Sequence, residues 1–241
     1  MSVNTWTPTA LASEARAWQG RGWRAVEAQH QVASMALVQG RLADQALLEE
    51  ILDAAKPPPP QATAGLHWLL ATPFRYPPPT SGSRFRRRFE PGVFYGAEDR
   101  ATACAEVGFW RLQFWLASKG LAMRQASLVL TVFEFHASTS CAIDLCAPPF
   151  AADRSAWKSA DDYTQPQALA ATARSAEVEV IRYESARRDG GICLALLTPH
   201  VFKRGGEGYR QQQQTWSLLL VPPARIVWQR HLDHETLSFT F

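Results

Sequence analysis

The sequence is poor in the features that usually assign a protein quickly. It has only four cysteines, at 104, 141, 146 and 193. None lies in a C-x-x-C pair and no Cys/His grouping has zinc spacing, so neither a zinc site nor a dithiol redox centre is indicated. Cys104 and Cys193 fall inside apolar runs, where a free thiol behaves as a small hydrophobe. No run approaches the roughly 18 apolar residues of a membrane span. The first residues, MSVNTWTPTALASEARAW, lack a basic stretch followed by an apolar core, so no signal peptide is expected. With no secretory signal and no disulfide pattern, a cytoplasmic setting is expected. No G-x-G-x-x-G follows a strand, which leaves Rossmann hydride transfer without support. The net charge is only +3, from 25 basic and 22 acidic residues. That is too weak to argue nucleic-acid binding from the total.

What is present is ordinary globular composition, 46% hydrophobic and 20% charged over 241 residues. Residues 24–55 read as helical, with Ala46, Leu47, Ile51 and Leu52 near one face. Four prolines at 57–60 stop that helix. This predicts a helical N-terminal extension over 1–62, packed on the body or on a partner, and a main domain over 63–241. In the main domain, residues 92–96 read as a short strand, and Asp99 caps a helix over 100–118. Strands are expected at 127–135 and 142–145, then a helix in DDYTQPQALAATARSA. Further strands follow at 178–185, 191–197, 215–221, 224–230 and 235–241. Short loops between the late strands favour antiparallel pairing. The expected fold class is α+β with a mainly antiparallel or mixed sheet.

Three stretches carry candidate chemistry. In FYGAEDRATACAEVGFW, Ala103, Val107, Trp110 and Phe114 make a helical stripe, and Glu106 shares its face. A carboxylate placed there needs a reason: a structural ion pair, a position at the stripe's margin, or a ligand. Upstream, Arg75-Tyr76 precedes a proline run, and RFRRR puts arginines at 84, 86, 87 and 88. If that segment is extended, Arg84, Arg86 and Arg88 share one side. Guanidinium forks suit phosphate, although a solvated basic edge would have the same composition. Downstream, IRYESARRDGG puts Ser185 where a strand gives way to a glycine-rich turn. Serine is common in turns, and a hydroxyl there can also bond a ligand.

Taken together, FYGAEDRATACAE and IRYESARRDGG resemble the RES-domain family, named for its Arg, Glu and Ser residues. The resemblance covers roughly residues 63–230. It implies an ADP-ribosyltransferase-like fold and a toxin of a toxin–antitoxin pair, with an Xre-type antitoxin as partner. The implied activity is destruction of NAD by phosphorolysis or hydrolysis, or ADP-ribosylation of a protein. NAD is then a substrate and not a cofactor, with inorganic phosphate a potential co-substrate. By motif, Glu106 is the family glutamate, Ser185 the serine and Tyr95 the tyrosine closing the strand. Arg75 would be the family arginine with Tyr76 beside it, and Arg84 is the other candidate for that role. No metal is implied.

The chemistry fits those residue types. Cleaving the nicotinamide–ribose bond releases a neutral group through an oxocarbenium-like state. A carboxylate stabilises the developing charge, arginines bind pyrophosphate, and Tyr76 or Tyr95 can stack on a cationic ring. Ser185 would bond the ribose or a phosphate. Two other classes remain. RFRRR with interleaved Phe85 and Phe89 fits single-stranded nucleic acid, although the six histidines show no paired arrangement for RNA cleavage. A non-catalytic module presenting residues 24–55 is the other. Neither membrane association nor direct nucleic-acid binding is expected, and homo-oligomerisation is left open by the sequence.

Overall fold

The computed structural model describes residues 6–27, 38, 41–76, 82–121, 123–202 and 213–241. Six helices are described: α1 (Pro8–Glu14), α2 (Leu42–Ala54), α3 (Trp68–Arg75), α4 (Arg100–Ala117), α5 (Arg154–Trp157) and α6 (Thr164–Ser175). Eight strands are described: β1 (Arg16–Glu27), β2 (Phe94–Ala97), β3 (Ala126–Asp144), β4 (Val180–Glu184), β5 (Ile192–Leu196), β6 (Gln213–Val221), β7 (Arg225–Arg230) and β8 (Thr236–Thr240). The fold is α+β with one mixed sheet, ordered β1-β2-β5-β4-β3-β6-β7-β8. Every described pairing between strands is antiparallel except the parallel contact of β3 with β4. Among the described residues no helix is long and apolar enough to cross a membrane.

β1 also pairs with β3 along almost its whole length, from Arg16↔Ala142 to Glu27↔Leu130. The pairings β1–β2–β5–β4–β3 therefore close into a ring. One edge of β3 faces β1. The other edge is shared between β6, which pairs with Ala126–Phe133, and β4, which pairs with Ala142–Asp144. Among the described residues, the edge between them is met by the bridge from Ala137 to Phe202. The expected strands at 127–135 and 142–145 are thus the two ends of one 19-residue strand.

The N-terminal piece departs from the expectation of a helical extension. Residues 42–54 are helical, but Arg24–Glu27 belong to β1, inside the sheet of the main body. The rest of the expected 24–55 helix includes residues 28–37, 39 and 40, which lie outside the described residues. β1 gives little local signal because its glycines serve packing. A Cβ on Gly22 would sit 2.5 Å from the Phe135 ring. Glycine weakens an isolated strand, so pairing with a segment about a hundred residues later decides its conformation. Nor does α2 bury its apolar face in the body: Leu47, Ile51 and Leu52 are exposed.

The two faces of the ring are packed differently. Antiparallel partners point to the same side of a sheet. On one side Phe94, Phe135 and Leu194 join Phe133 and Phe202 in an aromatic core, with the Phe94 and Phe135 centroids 4.8 Å apart. On the other side Tyr95↔Ala195, Ala97↔Cys193 and Tyr183↔Cys193 line up. This second face receives α4.

Candidate active site

Asp99 starts α4. Its Oδ1 accepts from the Thr102 backbone N–H at 2.8 Å, and its Oδ2 accepts from the Thr102 hydroxyl at 2.6 Å. This is the N-cap the sequence predicts. The helix buries Thr102, Ala103, Cys104, Ala105, Gly108 and Leu112. That face differs from the expected stripe, since Trp110 is 50% and Phe114 69% exposed. The cause is Gly108, which lets Ile226 and Trp228 approach the helix backbone and turns the Gly108 side inward. The Trp110 side faces away from that core, and Glu106 on it is half-buried.

Register brings Ser185 to Glu106. The β4–β5 pairing places Tyr183 opposite Cys193, and Ser185 N–H closes the hairpin by donating to the Gly191 carbonyl at 2.8 Å. Ser185 is fully buried. Its hydroxyl donates to Glu106 Oε1 at 2.6 Å and accepts the Arg187 and Arg188 backbone N–H groups at 3.0 and 3.1 Å. Cys193 Sγ lies 3.7 Å from the same carboxylate oxygen. Burial, then the negative Glu106, push the Cys193 thiol well above its ordinary range. Gly191 is required at the hairpin because a Cβ there would lie 2.5 Å from Thr102 Oγ1. Arg188 Nη1 donates to Thr102 Oγ1 at 2.9 Å and pairs with Asp99 at 3.3 Å. The helix start and the serine loop are thus one hydrogen-bonded unit.

RFRRR is not extended. Ser83 and Arg86 exchange backbone hydrogen bonds, leaving Arg84 and Phe85 at the tip of a tight turn. Arg84 turns inward and is buried. It donates to the Trp157 carbonyl at 2.8 Å and lies 4.6 Å from the Tyr163 ring centroid and 6.0 Å from that of Tyr183. Tyr95 holds this turn: its hydroxyl bonds Ser83 Oγ at 2.8 Å and accepts the Phe85 N–H at 2.9 Å. Burial raises the Tyr95 phenol above its ordinary range. Arg86 serves the loop through the Glu90 and Tyr76 carbonyls, and Arg87 and Arg88 are exposed. Of the two candidate arginines, Arg84 lies on the Glu106 side. Arg75 ends α3 and donates to the Pro57 carbonyl; Tyr76 is exposed beside it, 6.0 Å from its guanidinium.

The sequence reading missed a cluster beside Glu106 on the same helix. Arg187 stacks 3.6 Å above the Phe109 ring centroid and 5.5 Å from that of Trp110. Trp110 is in edge contact with Tyr163. Arginines scattered through IRYESARRDGG carry no spacing signal, and their surroundings assemble from α4, the turn at 84 and residues 160–163. Outside this cluster, Arg154 and Lys158 hold Glu184 in a bifurcated ion pair at 2.5 and 2.7 Å, which pulls its carboxyl down to about 2. Among the described residues no His/Cys/Asp/Glu cluster is placed to hold a metal ion.

No curated protein matches. The fold is similar to a chain in the crystal structure of the M. tuberculosis MbcT-MbcA toxin-antitoxin complex, at 14% identity and a TM-score of 0.47, covering 88% of this chain and 92% of that one. A family description, the RES domain, matches residues 58–220, more than half of the sequence. The chain belongs to the RES domain family.

Proposed function

We propose that this protein consumes NAD by breaking the bond between nicotinamide and the adjoining ribose. The observation that carries the reading is the half-buried carboxylate of Glu106, held by a fully buried serine hydroxyl on the helix that also carries Phe109 and Trp110 against Arg187. Resemblance to the RES family supplies the substrate class. The C1′–N bond breaks, its electron pair leaves with nicotinamide, and the pyridinium becomes neutral. No general acid is needed. As a carboxylate, Glu106 stabilises the positive charge that develops on the ribose and holds its hydroxyls. Water adding at C1′ gives ADP-ribose; inorganic phosphate adding there gives its phosphorylated form. A protein side chain as acceptor is the transferase variant of the same step.

Ser185 has no exposed surface, so it acts as a positioning residue for Glu106 and not as a direct ligand. Arg84 lies against the Tyr163 and Tyr183 rings, and in this reading it flanks the reacting ribose. Tyr95 acts by holding the Arg84 turn. Arg75 and Tyr76 take no part in this arrangement. NAD is a substrate here, with no resident cofactor. An Xre-type antitoxin is the proposed partner, with the surface beside Glu106 as the one to be blocked; the proposed setting is the cytoplasm.

The test is incubation of purified protein with NAD, with and without inorganic phosphate, followed by phosphorus NMR and mass analysis. Free nicotinamide with ADP-ribose, or with its phosphorylated form, is the expected result. A folded protein that leaves NAD intact, alone and in lysate with labelled NAD, would refute the reading.

A further inference from the structure

Arg187 borders the candidate site but has no chemical role assigned so far, and its surroundings are specific. Phe109 fixes the plane of its guanidinium from one side at 3.6 Å. Its Nη2 donates to the Ala160 carbonyl, and its Nε is enclosed with no partner. Among the described residues no carboxylate pairs with it. The neighbouring arginines are paired differently: Arg154 and Arg182 with Glu184 and Glu98, Arg188 with Asp99. Among the described residues Nη1 has no bond and is not among the enclosed atoms, so it is the donor open to a ligand; a guanidinium without a carboxylate partner, held beside a half-exposed tryptophan, is the arrangement that receives an oxyanion.

Its place relative to Glu106 is set by the helix. Phe109 and Trp110 are three and four residues beyond Glu106, so the Arg187 stack lies about one helical turn, roughly 5.4 Å, along the same face. That is comparable with the span from the anomeric carbon of a ribose to its 5′-phosphate. Arg187 is also joined to the catalytic carboxylate through its own backbone N–H, which donates to the Ser185 hydroxyl that holds Glu106. We propose that Arg187, backed by Phe109 and Trp110, is the phosphate-recognising residue of this site and determines its preference for phosphate-bearing substrates. The inference rests on the NAD reading above. The phosphate can come from the diphosphate of the dinucleotide or from free inorganic phosphate acting as acceptor.

Steady-state kinetics of wild type, R187Q and R187K separate these cases, using NAD, nicotinamide riboside (which has no phosphate) and a titration of inorganic phosphate, with ADP binding measured by calorimetry. Thermal unfolding of each variant confirms folding. The expected result is an R187Q loss of about 10- to 100-fold in kcat/KM for NAD, from lost charge-assisted bonds, with riboside cleavage within about twofold of wild type and R187K intermediate. A raised KM for NAD with weakened ADP binding assigns the dinucleotide diphosphate. A raised KM for inorganic phosphate alone assigns the co-substrate. An equal loss on NAD and riboside with the KM for inorganic phosphate unchanged, or no loss on either at any phosphate concentration, overturns the inference and leaves the NAD reading standing. If wild type cleaves neither substrate but binds ADP through Arg187, the phosphate site stands and the NAD reading falls. No cleavage and no ADP binding overturns both.

Discussion

Replacing Ser185 by alanine tests the centre of the argument. The hydroxyl donates to a carboxylate and accepts two backbone N–H groups, all from a position with no exposed surface. Loss of a hydrogen bond to a charged group costs about 1.5–3 kcal/mol. At least one of the two N–H groups is left without an acceptor, which costs about 1–2 kcal/mol more; the loop is exposed at Asp189 and Gly190, so water can serve the other. The sum is about 2.5–5 kcal/mol. For a chain of this length that corresponds to a fall in Tm on the order of 10 °C, measured by calorimetry. The kinetic consequence is separable. If Ser185 works only by holding Glu106, S185A lowers kcat for NAD about tenfold or more with little change in KM. In an E106Q background the same change adds less than about twofold, because residues acting through one contact are not additive. Full additivity of the two substitutions, or a wild-type Tm for S185A, would refute the positioning role.

Other outcomes follow from the same geometry. E106Q lowers NAD turnover about 100-fold or more with the fold intact, as expected when an electrostatic stabiliser is removed; unchanged turnover would remove Glu106 from the chemistry. R84Q abolishes most NAD turnover while R75Q leaves it near wild type, since only Arg84 lies against Tyr163 and Tyr183; the reverse order would move the site toward α3. Gly191→Ala forces the new Cβ against Thr102 Oγ1 and destabilises by about 1–3 kcal/mol, read as a lower denaturation midpoint with unchanged slope. Glu184, held at about 2 against an ordinary 4.5 by Arg154 and Lys158, stabilises the fold above pH 4.5, and that contribution is lost as pH falls through 2. E184Q therefore shows a flatter acid limb than wild type in the pH dependence of stability; parallel curves would count against the ion pair.

Much of this molecule is readable along the chain. The capped helix from Arg100 follows from Asp99 and the periodicity after it, and the late strands follow from β-branched and aromatic runs separated by short turns. These are local properties: a cap bonds three residues on, and a hairpin closes on its neighbour. Glu106 and Ser185 stand out because each is a polar group in an apolar context, and the motifs around them carry the family resemblance. Tertiary structure decided the rest. β1 is a strand because β3, about a hundred residues later, gives it partners, while its own glycines favour no conformation. RFRRR folds into a turn that sends Arg84 inward and leaves Arg87 and Arg88 in solvent, because Tyr95 supplies the hydroxyl that anchors it. Gly108 decides which side of α4 is core, by admitting Ile226 and Trp228, and so leaves Glu106 half-buried. Arg187 acquires its place only when residues from α4, the loop after β4 and Ala160 meet. Sequence spacing carries information about contacts three or four residues apart; these contacts join residues tens to more than a hundred positions apart, and only the closed sheet brings them within bonding distance.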